Sequence, residues 1–312
     1  MRRLCLGLSF VAMVALAACG SASGPEVSSE LPPGFSERNS SDGGSDNHGE
    51  SSASGNKVSS SSEETSSSSA QYSSSSENVV LVDPSTVVTG TMTDERDGQT
   101  YKTVKIGNQT WMAENLNYAY TGVPYRFYDE GFDETYTSDS TSWCYADDPA
   151  NCDTYGRLYT WAAAMDSVGE WSTKGKECGY NKTCSPTYPV RGICPQGWHL
   201  PSYDEWEVLI VAVDGSITEY DVNTAGAKLK ATSGWNNSGN GTDAFSFSAL
   251  PAGIMADAGH YLRLEGSGTL FWSSTEDDSD FAYRMYLDSD VDLASLYSSF
   301  KEFAHSVRCL KD

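Results

Sequence analysis

Apolar side chains follow three different regimes along the chain. An apolar run from Leu4 to Leu16 follows two arginines and ends in small residues before Cys19. It is too short and wrongly flanked to span a bilayer, and it reads as a secretory signal. From Gly20 to about Asn78 large apolar residues nearly vanish, and runs such as SSSSEETSSSSAQYSSSS take over. Such a tract cannot bury enough surface to offset the entropy of ordering, so a flexible tether is expected. From residue 90 onward apolar positions return with the periods of regular structure.

Within 90–312 the pattern predicts short strands and few helices. TMTDERDGQTYKTVKIGNQTWMAENLNY reads as strands turned at Asp97-Gly98 and Gly107-Asn108. In YGRLYTWAAAMD, Leu158, Trp161, Ala162 and Met165 fall at helical spacing, which predicts one helix. ICPQGWHLPSYDEWEVL, residues 193–209, carries a helix start. Ser202 and Glu205 make a capping box, Pro201 stays outside the helix, and Trp206, Leu209, Ile210 and Val213 form a core-facing stripe. GAKLKATSGW predicts a short helix ending at Gly234. FSFSAL, YLRLE, TLFWSST, FAYRMYLD and AHSVRCL read as strands, with Gly266 to Gly268 as a hairpin turn. In FAYRMYLDSDVDL, Phe281, Tyr283, Met285, Leu287, Val291 and Leu293 share one face, and Arg284, Asp288, Asp290 and Asp292 the other. Trp111, Trp161, Trp198, Trp206 and Trp272 sit in such elements and are assigned to the core. The expectation is a single α+β domain of about 220 residues around one core, with long loops.

Cysteine usage adds a framework. Of eight cysteines, Cys5 leaves with the signal (1–18), and LAAC resembles the lipobox of bacterial lipoproteins, which makes Cys19 the acylated first mature residue. Acyl chains gain about 0.8 kcal/mol per buried methylene and would hold the protein to a membrane. Gly20 resembles an outer-membrane sorting signal. Residues 19–89 are then lipidated cysteine and linker. Cys144, Cys152, Cys178, Cys184, Cys194 and Cys309 remain, and an even number in an exported domain points to disulfides. Many pairings are open to six cysteines; two local loops, Cys144 with Cys152 and Cys178 with Cys184, would leave Cys194 to reach Cys309. The formal charge is −23, of which −17 falls from residue 90 onward, so phosphate backbones are repelled and nucleic acid is a poor partner.

DGQTYKTVKIGNQTWMAENLNY, YGRLYTWAAAM, CPQGWHLPSYDEW, FSALPAG, FWSSTE and SVRC resemble, in that order, the Fibrobacter succinogenes major paralogous domain family. The resemblance covers nearly all of 90–312 and implies an exported surface module, often lipid-anchored or serine-linked. The family in turn resembles the C-type-lectin fold shared with formylglycine-generating enzymes. There a Gly-Trp-x-Leu-Pro turn enters the second helix and a terminal strand ending in cysteine closes the sheet, roles matched by Gly197, Trp198, Leu200, Pro201 and Cys309.

Candidate chemistry is sparse. His199 has no signalled nucleophile, and His260 and His305 stand apart without zinc spacing. GEWSTKGKE has the wrong spacing for a phosphate loop and Glu177 where magnesium needs a hydroxyl. DSDVD lacks the glycine and the glutamate of an EF-hand. A looser calcium site is a candidate, with Asp277, Asp278 and Asp280 joined by the carboxylates of 288–292 as in lectin-like loops. Trp143, Tyr145, Trp171, Tyr180 and Trp235 lie in polar loop context, where rings stack on sugar C–H faces while Asn, Asp and Gln meet hydroxyls. The expected function is a cell-surface binding or adhesion module for polysaccharide, another envelope or fibre component, or a surface protein. The alternatives are a structural or partner-scaffolding lipoprotein, and an enzyme on the formylglycine-generating scaffold, which would need a reactive cysteine pair.

Overall fold

The structure is a computed structural model that describes residues 81–128, 134–137, 141–215, 223–256 and 261–312, all within one compact unit, Gln71–Asp312. The signal-like segment, Cys19, the serine-rich tract to residue 80 and His260 lie outside the described residues. Among the described residues no helix is long and apolar enough to cross a membrane.

Regular elements follow in the order β1 (Val88–Thr93), β2 (Thr100–Ile106), β3 (Gln109–Met112), β4 (Tyr125–Tyr128), β5 (Glu134–Thr137), β6 (Ser142–Trp143), α1 (Pro149–Tyr155), β7 (Leu158–Thr160), α2 (Trp161–Ala164), β8 (Trp198–His199), α3 (Tyr203–Asp214), α4 (Ala225–Leu229), β9 (Ala252–Ala256), β10 (Tyr261–Glu265), β11 (Gly268–Glu276), β12 (Phe281–Asp288), β13 (Ala294–Phe300), β14 (Ala304–Ser306) and β15 (Leu310–Lys311). One sheet has the order β1-β2-β3-β15-β8; a second runs β13-β12-β11-β9-β14-β7-β6 with β10 added on β9. β4 and β5 pair with each other. The architecture is mixed α+β, as expected. The folded chain begins before residue 90, since the Val82 amide already donates to Ala212 O at 2.8 Å.

Several elements form as the pattern predicts. Ser202 accepts the Glu205 amide and Glu205 reaches back to Ser202, so α3 starts on a capping box and buries Trp206, Leu209, Ile210 and Val213. Ile106 faces Gln109 across Gly107-Asn108, with Gly107 at φ 58, a conformation that suits a residue without Cβ. The five tryptophans assigned to the core are all buried.

Others differ, each for a local reason. Leu158 belongs to strand β7 and not to a helix face: the Thr160 hydroxyl accepts the Ala163 amide at 3.3 Å and fixes the helix start at Trp161. α4 stops at Leu229, well short of Gly234, because Lys230 turns extended and sends its ammonium to Asp288 O and Val291 O at 2.8 and 3.0 Å. Gly266 to Gly268 make a tight turn but no hairpin, since β10 bonds to β9 while β11 bonds to β12. β12 ends at Asp288, leaving Val291 43% exposed and off the apolar face. β13, serine-rich and unforeseen, pairs along the whole of β12 from Phe281 with Phe300 to Leu287 with Ala294.

The expected terminal strand AHSVRCL divides between the two sheets. β14 pairs with β7, whereas Leu310 lies between Trp111 of β3 and His199 of β8. The crossing backbone stays bonded, with the Leu116 amide donating to Val307 O at 2.9 Å and the Met112 amide to Cys309 O at 3.0 Å. Arg308 turns inward at the crossing. Its Nε donates to Asn115 Oδ1 at 2.8 Å, its Nη1 to Phe247 O and its Nη2 to Ser248 O at 3.0 Å. This explains FSFSAL, which is not a strand: Phe245 and Phe247 are buried as alternation predicts, but Ser246 and Ser248 at φ 53 break the pleat beside the carbonyls that Arg308 binds.

The core is divided and not single. Phe271 points into a cluster with Trp111, Trp206, Phe247 and Met285, while its neighbour Trp272 points into another with Trp161, Trp198, Met112 and the Cys194–Cys309 cystine. Consecutive residues of β11 therefore face opposite cores, which is why this strand is apolar on both sides.

The cystines are Cys144–Cys152, Cys178–Cys184 and Cys194–Cys309, the expected arrangement, with sequence separations of 8, 6 and 115. In the chain-entropy account a loop of order 100 residues is worth about 4.7 kcal/mol and an eight-residue loop about 2.5. The double variant C194A/C309A is therefore expected to lose roughly twice the stability lost by C144A/C152A in urea unfolding. Equal losses would show that closure of the long loop does not hold the crossing strand.

Candidate functional site

A large cleft lies beside the stretch that reads as pure scaffold. The β2–β3 turn, the start of α3, the Tyr188-Pro189 segment and the last residues of the chain enclose about 800 Å³, lined by Asn108, Gln109, Tyr188, His199, Asp204 and Asp312 among others. That volume lies within the range of roughly 300–1,000 Å³ usual for ligand sites. Tyr188 is 50% exposed and its hydroxyl donates to Ser274 O at 3.4 Å, so the ring is tethered at its hydroxyl while half of its surface stays open. Gln109 Nε2 donates to Glu205 O at 2.9 Å and Gln109 Oε1 accepts from Trp111 Nε1 at 3.3 Å, which locks the amide in the wall.

His199 holds this wall together. Its Nδ1 lies 2.7 Å from Asp312 Oδ1 and its Nε2 3.0 Å from Glu205 Oε1. Burial of the ring opposes its protonation, but the hydrogen bonds to Glu205 and Asp312 outweigh it and raise the pKa above the ordinary 6.5. For Glu205 too burial acts against ionisation, and the bonds from His199 and Ser202 overcome it, lowering its pKa. Both imidazole nitrogens are engaged and the Ser202 hydroxyl donates to Glu205, so the group clamps two carboxylates and ties the chain terminus to α3.

The aromatic candidates do not converge on one surface. Tyr145 is only 8% exposed and packs with Leu158 and Met255, with Trp143 against the same cluster. Trp235 is 5% exposed, donates from Nε1 to Ala249 O at 3.0 Å and lies under the Lys230 ammonium at 5.2 Å, so it is a core residue. Trp171 is half-buried edge-on to Tyr118 at 5.8 Å and within 5.3 Å of the Arg96 guanidinium. Tyr180 lines a separate hollow of about 260 Å³ with Ala162, Glu177 and Lys182. Polar flanking sequence misleads here because the cystine loops fold their rings inward.

The proposed calcium cluster is not assembled as expected. Asp277, Asp278 and Asp280 stand before β12 and residues 288–292 after it, about 23 Å apart at roughly 3.3 Å per residue. Each acidic loop instead closes on an ammonium. Lys301 Nζ is 2.5 Å from Glu276 Oε1 and donates to Asp278 O, Ser279 O and Lys182 O at 2.7, 3.1 and 3.1 Å, while Lys230 serves the second loop. Asp278 Oδ1 also accepts the amides of Asp280 and Phe281. Among the described residues no group of three His, Cys, Asp or Glu could hold a metal ion.

Residues 104–311 match the family model of the Fibrobacter succinogenes major domain. The chain belongs to this family. No curated protein and no solved structure matches it. Every lining residue of the cleft named above except Asp312 falls inside the Fibrobacter succinogenes major domain. Tyr188 and Asn108 carry no local signal beyond a Tyr-Pro pair and a turn, and they become a site only through the fold.

The clamp has a pH signature. Because the folded pKa of His199 is raised, its stabilisation is complete below the unfolded value of about 6.5 and is lost as pH rises through the folded value. His305, pushed well below the ordinary value by burial and then by Arg284, acts in the opposite sense. The contrast between wild type and H199Q isolates the clamp: the urea midpoint of wild type is expected to fall further between pH 6 and pH 9 than that of H199Q. Parallel curves for the two proteins would contradict it.

Proposed function

We propose that the protein is a cell-surface binding or adhesion module for polysaccharide, exported and held to the outer membrane by lipid on Cys19, with the serine-rich tract as its tether. The observation that carries this reading is the cleft beside α3, where the half-exposed ring of Tyr188 stands among Asn108, Gln109, Asp204 and Asp312. An aromatic face takes the C–H side of a sugar ring, and amides and carboxylates at its rim take hydroxyls. The outline of a C-type-lectin-like fold is supported by the Gly197–Pro201 turn into α3 and by a terminal strand closed through Cys309.

Retention of the full chain on cellulose, xylan, pectin and peptidoglycan tests the reading. Y188A is expected to weaken retention about tenfold, corresponding to the loss of about 1.4 kcal/mol of ring contact. Absence of retention on every polymer, or unchanged retention of Y188A, would overturn it.

A further inference from the structure

Among the described residues most inward-facing cations have acceptors; Arg157 leaves its Nε unpartnered but still donates from Nη1 to Ser142 O at 3.2 Å. Arg96 is bidentate to Asp94, Lys301 has four acceptors, Lys230 has two carbonyls and Arg308 has three acceptors. Arg284, on β12, has none: its Nε and Nη1 have no exposed surface and no hydrogen-bond partner. It is flanked by Trp272 on β11 and Tyr297 on β13, its direct partners across the sheet. The Tyr286 and Tyr297 rings lie 5.0 and 5.8 Å from the guanidinium carbon. The one acid on this face of β12, Asp288, already accepts the Tyr286 hydroxyl. Burial pulls the Arg284 pKa down to about 10, with only the two tyrosines acting against it.

A half-buried guanidinium with two enclosed, unfilled donors is costly to keep and points to a missing acceptor. The surroundings restrict what that acceptor can be. His305, stacked on Trp272 at 4.1 Å, bonds Ser299 Oγ through Nε2 at 2.8 Å and leaves Nδ1 buried without a partner. Burial, and then Arg284, hold it neutral, so it adds a polar nitrogen and no second charge. One positive charge in a chain of net charge −23 favours a monoanion over a dianionic phosphate. Either fork of a guanidinium, end-on or side-on, includes one of the two unfilled nitrogens, and a planar carboxylate matches that fork. Tyr297 is 61% exposed, so its ring can swing aside to admit a ligand and then present a face to it.

We infer that Arg284 is the centre of a second binding site, apart from the α3 cleft, which takes the carboxylate of a uronic-acid sugar with Tyr297 stacked on the sugar ring. The full chain is titrated with tri-galacturonate, with neutral maltotriose and with galactose 6-phosphate, and heat of binding and melting temperature are followed. Tri-galacturonate is expected to bind and raise the melting temperature, while the other two have at least tenfold weaker effects. R284M is expected to lose at least tenfold in tri-galacturonate affinity and, without ligand, to melt no lower than wild type, because an uncompensated charge has been removed. Y297A changes an exposed side chain and is expected to weaken the same binding; R284M is expected to lose as much affinity in a Y188A background as in wild type, which separates this site from the cleft. No response of wild type to tri-galacturonate, an equal response to galactose 6-phosphate, an undiminished response in R284M, or a lower melting temperature of unliganded R284M would each overturn the inference.

Discussion

The crossing of residues 304–312 from one sheet to the other is the constraint on which the rest depends. Sheets that share no strand can shift against each other; here β14 and β15 belong to one short segment, bonded to both. Three interactions of different kinds hold it. Backbone bonds join it to Met112 and Leu116, the Cys194–Cys309 cystine ties it to the turn before α3, and Arg308 anchors it to the Phe247 and Ser248 carbonyls. The crossing also delivers Asp312 to His199, so the wall of the cleft exists only once the last residues are in place.

Buried cations recur as the means by which irregular backbone is made tolerable. Carbonyls that leave the ladders need donors, and in this chain Lys230, Lys301 and Arg308 supply them. An acidic loop that resembles a calcium site in sequence is thereby closed by the ammonium of Lys230, just past the end of α4. The same rule makes Arg284 stand out, since its charge satisfies no carbonyl and meets no carboxylate.

What could be read from the sequence was what short-range chemistry decides. The capping box and stripe of α3, the buried tryptophans and the strands of alternating pattern follow from neighbours within a few residues; the cysteine spacing left many pairings open, and the fold selects the two short loops and the Cys194–Cys309 closure. What could not be read depends on distant partners. Leu158 fits a helix face until β14 pairs with it, and Phe245-Ser246-Phe247 fits a strand until Arg308 draws its carbonyls aside. The cleft draws on residues 108–109, 188–189, 199–205, 275 and 310–312, so no window of sequence contains it. Arg284 reads as a solvated charge because alternation specifies a face and not what covers it.

Native-state hydrogen exchange at the Met112 and Leu116 amides tests the central claim most directly, because both donate to the crossing segment. If that segment holds the two sheets together, both amides in wild type exchange only through global unfolding, and in C194A/C309A through a smaller opening shared with Leu310. Exchange of Met112 and Leu116 that remains at the global limit in C194A/C309A, while Leu310 opens alone, would contradict the account.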